Sequence, residues 1–253
     1  MSFIAIIPSR MTSTRLPGKP LKDIAGKPMV VRVAEQAAAS GAERVVVAAD
    51  SEVIAKTCSE YGVEAVLTDP DLPTGTDRLA EAADKLRLSD ETIVVNVQGD
   101  EPLIPPPVIR QVAELLASDP QSTIATAAHP IADVQTFFNP NVVKVELDGT
   151  GHAMTFSRAP IPWPRDAFAE DKSCLPEGFT AYHHIGLYAY RALFLKRFST
   201  LKRSPIERFE SLEQLRAMWY GYKIAVAVLP ENLPAGVDTQ EDLERVRSVF
   251  PNR

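Results

Sequence analysis

Short apolar runs recur along this chain at Phe3 to Ile7, Arg44 to Ala49, Glu64 to Leu67, Ile93 to Val97 and Thr123 to Ala128, with the length and branching of buried strands. Between them, Met29 to Ser40, Asp50 to Tyr61, Pro73 to Leu86 and Pro105 to Ser118 place apolar residues at helical spacing. Ser40-Gly41 reads as a C-cap and Asp50-Ser51 as an N-cap. Strand and helix in alternation predict βαβ units with right-handed crossovers, and so an α/β fold: a mostly parallel central sheet with helices on both faces.

The texture changes after Asn139. Val142 to Leu147 and Ala153 to Ser157 flank Asp148-Gly149-Thr150-Gly151 and predict an added β-hairpin region. Ala159 to Thr180 follows as a long loop whose Pro and Trp content favours an ordered rim. Ala181 to Tyr188 returns to strand, and strict alternation puts His183 and His184 on opposite faces. Ser204 to Tyr222 includes a helix on which Glu207, Glu210, Glu213 and Gln214 share a face. The chain closes with a strand, Ile224 to Leu229, and an amphipathic helix, Gln240 to Phe250.

With 253 residues, 45% hydrophobic and 24% charged, the chain can bury a large core as a single domain. Its formal net charge of −6 argues against nucleic acid or a bilayer surface as partner. Cys58 and Cys174 lie far apart and outside any C-x-x-C, which suits a reducing compartment. The amino terminus runs straight into a strand and no apolar run reaches membrane length, so a soluble cytoplasmic protein is expected.

Against that acidic background, the loop Pro8 to Pro20 concentrates Arg10, Arg15 and Lys19 with hydroxyls at Ser9, Thr12, Ser13 and Thr14. Forked guanidiniums and an ammonium at the carboxyl end of a first buried strand suit phosphate. The loop is neither G-x-G-x-x-G nor a Walker sequence, since Pro20 and Pro28 stand where that sequence needs Ser or Thr. The central strand Ile93 to Val97 runs into Gly99-Asp100-Glu101. Asp100 there fits either a magnesium ligand facing a phosphate loop or a local turn. Asp238 offers the same choice: a second ligand after a late strand, or the cap of the last helix with Glu241 replying. In Pro73 to Arg78, Thr76 or Asp77 is a candidate cap. Arg78, a cation in a first helical turn, opposes the helix dipole unless a phosphate or base compensates it.

Pro8-Ser-Arg10 with Ser13 to Pro20, Asn96-Val-Gln-Gly-Asp-Glu-Pro102, Ser157-Arg158, His184-Ile-Gly-Leu-Tyr188, Leu212 to Arg216 and Gly236-Val-Asp-Thr239 together resemble the 3-deoxy-manno-octulosonate cytidylyltransferases, also called CMP-Kdo synthetases. The likeness runs in order from the first strand to the last helix. It departs at Ser9 for the usual alanine, Met11 for an aromatic and His183 for arginine. The resemblance implies a single Rossmann-like nucleotidyltransferase domain over 1–253. Its nucleotide-binding part would span 1–130, a sugar-binding and dimerisation part 131–222, and a closing strand and helix 223–253. It implies a homodimer joining CTP and Kdo into CMP-Kdo and pyrophosphate for lipopolysaccharide synthesis, with Mg2+ on Asp100 and Asp238. Pro8, Ser9, Arg10, Arg15, Lys19, Arg78, Gln98 and Asp100 would hold the nucleotide; Gln98, Arg158, His184, Tyr188, Glu210 and Gln214 would hold the sugar. No residue stands out as a general base. A synthetase for another CMP-sugar, from sialic acid or 8-amino-Kdo, and a non-catalytic nucleotide sensor are the competing expectations.

Overall fold

The structure, a computed structural model, describes residues 1–250. Its strands are β1 (Ile4–Ser9), β2 (Asp23–Ile24), β3 (Lys27–Pro28), β4 (Arg44–Ala49), β5 (Glu64–Leu67), β6 (Ile93–Asn96), β7 (Ile124–Pro130), β8 (Lys144–Leu147), β9 (Ala153–Ser157), β10 (Tyr182–Arg191) and β11 (Ile224–Val228). The helices are α1 (Met29–Ala39), α2 (Glu52–Glu60), α3 (Gly75–Lys85), α4 (Pro106–Ser118), α5 (Val134–Phe138), α6 (Ala167–Glu170), α7 (Ala192–Phe198), α8 (Pro205–Glu210), α9 (Gln214–Trp219) and α10 (Gln240–Val249).

Nine strands make the central sheet, along the path β11-β7-β10-β6-β1-β4-β5. Pairing is parallel for β1 with β4 and β6, for β4 with β5 and for β11 with β7. Only β10 runs against its neighbours β6 and β7 within that path, and the hairpin β8–β9 hangs from its start. The sheet is therefore mostly parallel, as the alternation of runs predicts, while β2 and β3 pair as a separate ribbon.

Helices cover both faces, which is why the strands read as continuous apolar runs. Along β1, Ala5 and Ile7 pack with α1, α2 and α4, while Ile6 points the other way into a core shared with α3, α7 and α9. The same alternation sends Ile93 and Val95 to one side and Val94 to the other. From β1 the chain works outward to β4 and β5, then returns to the opposite side of β1 with β6. That reversal opens a crevice at the carboxyl ends of β1 and β6.

Several local expectations change. β1 continues two residues further, to Ser9, and so carries the strand into the basic loop. The loop after Ala159 holds the short helix α6 and is anchored by Phe168 packing with Phe137, Ile131 and Ala181. The single helix expected within Ser204 to Tyr222 is instead α8 and α9, interrupted at Ser211 with φ 52°. The break therefore separates Glu207 and Glu210 on α8 from Glu213 and Gln214 at the start of α9. Among the described residues, no helix is long and apolar enough to cross a membrane.

Candidate active site

A cavity of about 820 Å³ occupies the crevice. Pro8, Ser9, Arg10, Arg15 and Lys19 from the basic loop line it, together with Gln98, Gly99, Asp100, Asp238 and the Pro73–Gly75 turn. Its centre is Lys19, whose ammonium donates to Asp100 Oδ2 at 2.8 Å, to the Val237 carbonyl at 2.8 Å and to Asp238 Oδ1 at 3.0 Å. Partial burial works against this charge, yet the Asp100 and Asp238 carboxylates outweigh it and hold the pKa above the ordinary lysine value. Arg15 reaches the other side of Asp238, Nη2 to Oδ2 at 3.1 Å. Its own side chain remains largely exposed, so the pair itself contributes little stability.

The backbone makes this convergence possible. A Cβ on Gly99 would lie 2.8 Å from the Pro8 carbonyl oxygen, so only glycine lets the turn after β6 pass against β1. The Asp238 ambiguity is resolved one residue further on. Thr239 caps α10, accepting from the Asp242 N–H, and the Asp242 carboxylate replies to the Thr239 N–H. Asp238 is left free to face the cavity. Similarly Thr74, not Thr76 or Asp77, caps α3. The loop itself is pinned by Asp50, whose two carboxylate oxygens accept from the Met11 N–H at 3.1 and 3.0 Å.

Two hard carboxylates facing a phosphate-sized cavity fit magnesium. Among the described residues no three His, Cys, Asp or Glu side chains gather as a metal cage. An ion on Asp100 and Asp238 would draw its remaining ligands from phosphate and water, the usual habit of Mg2+.

A smaller cavity of about 180 Å³ opens beside the first and shares Gly75 and Gln98 with it. Gln98, Tyr188 and Gln214, all expected, line it with Thr76, Asn96, Tyr190 and Glu213. Thr76 donates to Glu213 Oε2 at 2.8 Å, while Asn96 Oδ1 and Glu213 Oε1 are buried without hydrogen-bond partners, the latter with only the Arg216 guanidinium 3.9 Å away. These orphan acceptors call for hydroxyl or amine donors on a ligand. The sequence offered Thr76 only as a helix cap, Asn96 only as part of a longer motif and Glu213 only as part of a helical face.

Other expected residues lie behind these walls. Glu210 does not line the smaller cavity: the break at Ser211 turns it toward β9, where it accepts from Ser157 Oγ at 2.6 Å and the Arg158 N–H at 2.9 Å. Glu213 takes the place on the wall. Arg158 donates to the Glu210 and Pro140 carbonyls. His184 is buried against Phe156 and Tyr188, and burial drives its pKa down to about 3, so its ring is neutral. His183 faces away and meets His129, ring nitrogens 2.9 Å apart, in keeping with the expected opposite faces. Arg78 is fully buried beneath the larger cavity, donating to Thr68 Oγ1 and the Asp69 carbonyl. Its Nε and Nη2 have no partner, and burial, then the nearby Arg10 charge, lowers its pKa.

The model of the cytidylyltransferase family matches residues 4–224. A solved structure of CMP:2-keto-3-deoxy-manno-octonic acid synthetase complexed with CTP is similar at a TM-score of 0.89 and 38% identity, over 98% of each chain. A cytidylyltransferase from Leptospira borgpetersenii serovar Hardjo-bovis (strain JB197), 19% identical with a TM-score of 0.59 over 99% of this chain and 87% of that one, shares the fold.

Proposed function

This chain belongs to the cytidylyltransferase family, and on that premise we propose that it transfers CMP from CTP to 3-deoxy-D-manno-octulosonate, releasing pyrophosphate. The observation that carries the reading is the meeting of Lys19, Asp100 and Asp238 in a large cationic cavity that adjoins a small polar one at Gly75 and Gln98. Phosphoryl transfer of this kind depends on positioning and charge stabilisation more than on covalent help from the protein.

In this reading Pro8 and Ser9 seat the nucleotide, Arg10, Arg15 and Lys19 hold the triphosphate, and Arg78 supports that wall from below beside Arg10. The sugar enters the smaller cavity, where Asn96 and Glu213 accept from its hydroxyls and Tyr188, Gln98 and Gln214 orient it. Arg158, Glu210 and His184 brace that wall from behind. Asp100 and Asp238 would hold Mg2+, which when bound neutralises phosphate charge and lowers the pKa of a hydroxyl it touches. All three Lys19 protons are already donated, so one contact must be exchanged for phosphate as the nucleotide binds. That exchange brings a cation onto the leaving pyrophosphate, where a single such donor contributes roughly a hundred- to a thousand-fold in rate.

We further read the enzyme as a cytoplasmic homodimer serving lipopolysaccharide synthesis. Exposed apolar side chains support the pairing: Phe209 at 91%, Met154 at 62% and Trp219 at 60%. Sedimentation velocity tests it. The activity is tested by pyrophosphate release with CTP against ATP, GTP and UTP, and with Kdo against 8-amino-Kdo and sialic acid. Release confined to CTP with Kdo is expected. Preference for another sugar would overturn the substrate, and no release in any combination would overturn the reaction.

A further inference from the structure

Thr126 sits mid-strand in β7 with its side chain fully buried, among small apolar neighbours. Strand register gives it a particular place. Tyr188 of β10 lies opposite Asn96 of β6 on one side and opposite Thr126 of β7 on the other. Residues directly opposite in a sheet project to the same face, so Asn96, Tyr188 and Thr126 form one row, and its first two members line the smaller cavity.

The strand beside Thr126 is irregular. Ile185 pairs with Ala127 and Tyr188 with Thr126, which leaves Gly186 and Leu187 as extra residues in a bulge. Bulge carbonyls lose their ladder partners, and here a side chain meets them. Thr126 Oγ1 lies 2.8 Å from the Leu187 carbonyl, 3.1 Å from the Ile185 carbonyl and 3.0 Å from His184 Nε2. A hydroxyl has one proton to give. It goes to a bulge carbonyl, and the oxygen then accepts from His184 Nε2–H, which also fixes the tautomer of that neutral ring. On the outer side of the same bulge, the Gly186 carbonyl accepts from Gln98 Nε2 at 3.4 Å, and Gln98 lines both cavities.

We propose that Thr126 is a positioning residue for the acceptor sugar: its hydroxyl holds the β10 bulge in the shape that presents Tyr188 and Gln98 to the smaller cavity. This rests on the assignment of that cavity to the sugar. A Thr that merely fills space would serve equally well as Val, whereas a Thr that pins a bulge requires its oxygen.

The test is steady-state kinetics on Thr126→Val, Thr126→Ala and Thr126→Ser, with melting temperature measured for each. Val and Ala are expected to raise the KM for Kdo about ten- to a hundred-fold, since a lost hydroxyl strands buried carbonyls, while the KM for CTP stays near wild type. Ser is expected to restore the sugar KM to within about three-fold of wild type. Equal sugar KM values in all three variants overturn the proposal, as do equal losses of kcat, both KM values and melting temperature in Ser and Val alike. Failure of both Val and Ala to fold marks Thr126 as core packing and overturns it too. A wild-type protein that takes no acidic keto-sugar overturns the activity itself, an outcome read separately from the variants.

Discussion

The Asp238 carboxylate and the Lys19 ammonium lie 3.0 Å apart although 219 positions separate them in sequence. The contact is built from below: Val237 and Leu16 share one small core with α10, and the Val237 N–H donates to the Asp100 carbonyl at 2.8 Å. The loop after β1 and the segment leading into α10 are thereby brought together at the cavity. Since Thr239 and Asp242 make the helix cap, Asp238→Asn leaves that cap in place and acts at the cavity. Pyrophosphate release should fall about a hundred- to a thousand-fold, with a raised magnesium requirement. A wild-type rate across a magnesium titration would remove Asp238 from the metal.

Lys19→Met removes the ammonium that neutralises two facing carboxylates. In chelator the variant should melt below wild type, because Asp100 and Asp238 are left to repel each other. Added magnesium should return part of that loss by binding where the ammonium stood. Calorimetry with and without chelator reads both effects, and equal melting temperatures in chelator would show that the lysine is not what holds the carboxylates together.

Gly99→Ala places a methyl 2.8 Å from the Pro8 carbonyl oxygen, a backbone atom with no freedom to yield. The strand ends must separate, which moves Asp100 away from the basic loop. The expected cost is about 1–3 kcal/mol in urea unfolding together with a raised KM for CTP. Wild-type stability with wild-type KM would mean the turn has slack that the close approach denies.

The basic loop and Asp100 were legible because each follows an unbroken apolar run, and the end of a parallel strand is where charge has a use. Asp238 was legible only as a choice between cap and ligand, since Glu241 and Asp242 both stand within capping distance in sequence and only the backbone selects Asp242. The α8–α9 break left no mark: Ser211 takes a left-handed φ of 52° without the glycine or asparagine that usually signals one. That hidden break exchanged Glu210 for Glu213 on the cavity wall. Arg78 was legible as a cation that needs compensation in a first helical turn, but its burial, with Thr68 Oγ1 and the Asp69 carbonyl as acceptors, was not. Thr126 carried no signal, its bulge being hinted at only by Gly186.

Glu101 gives the protein a pH signature. Burial, reinforced by the adjacent Asp100 charge, pushes its carboxyl up to about 7. Between the ordinary glutamate pKa and that value the folded state keeps a proton the unfolded state has released. Stability therefore declines as pH rises through this window and levels off above it. The decline attributable to Glu101 should be on the order of 1–3 kcal/mol. Urea unfolding in chelator from pH 5 to 8 should show Glu101→Gln gaining on wild type as pH rises. Parallel curves for the two proteins would refute the shift.

Glu207 and Arg216 form a buried pair, each side chain 5% exposed, with Nη2 to Oε1 at 2.6 Å and Nε to Oε2 at 2.9 Å. Glu207 also completes the capping box of α8 with Ser204, and the Arg216 guanidinium stacks over Phe198 at 4.3 Å. The pair thus ties the two short helices together across the break that sends Glu213 to the smaller cavity. Glu207→Ala strands a buried guanidinium and should cost about 3–5 kcal/mol in urea unfolding. The double variant Glu207→Leu, Arg216→Met buries no unpaired charge, so it should be more stable than Glu207→Ala despite losing both groups. Its sugar KM should nonetheless rise, because α9 loses the link that orients Glu213, while its KM for CTP stays put. A double variant as unstable as the single would mean that the cap and the stacking, not the ion pair, hold this corner.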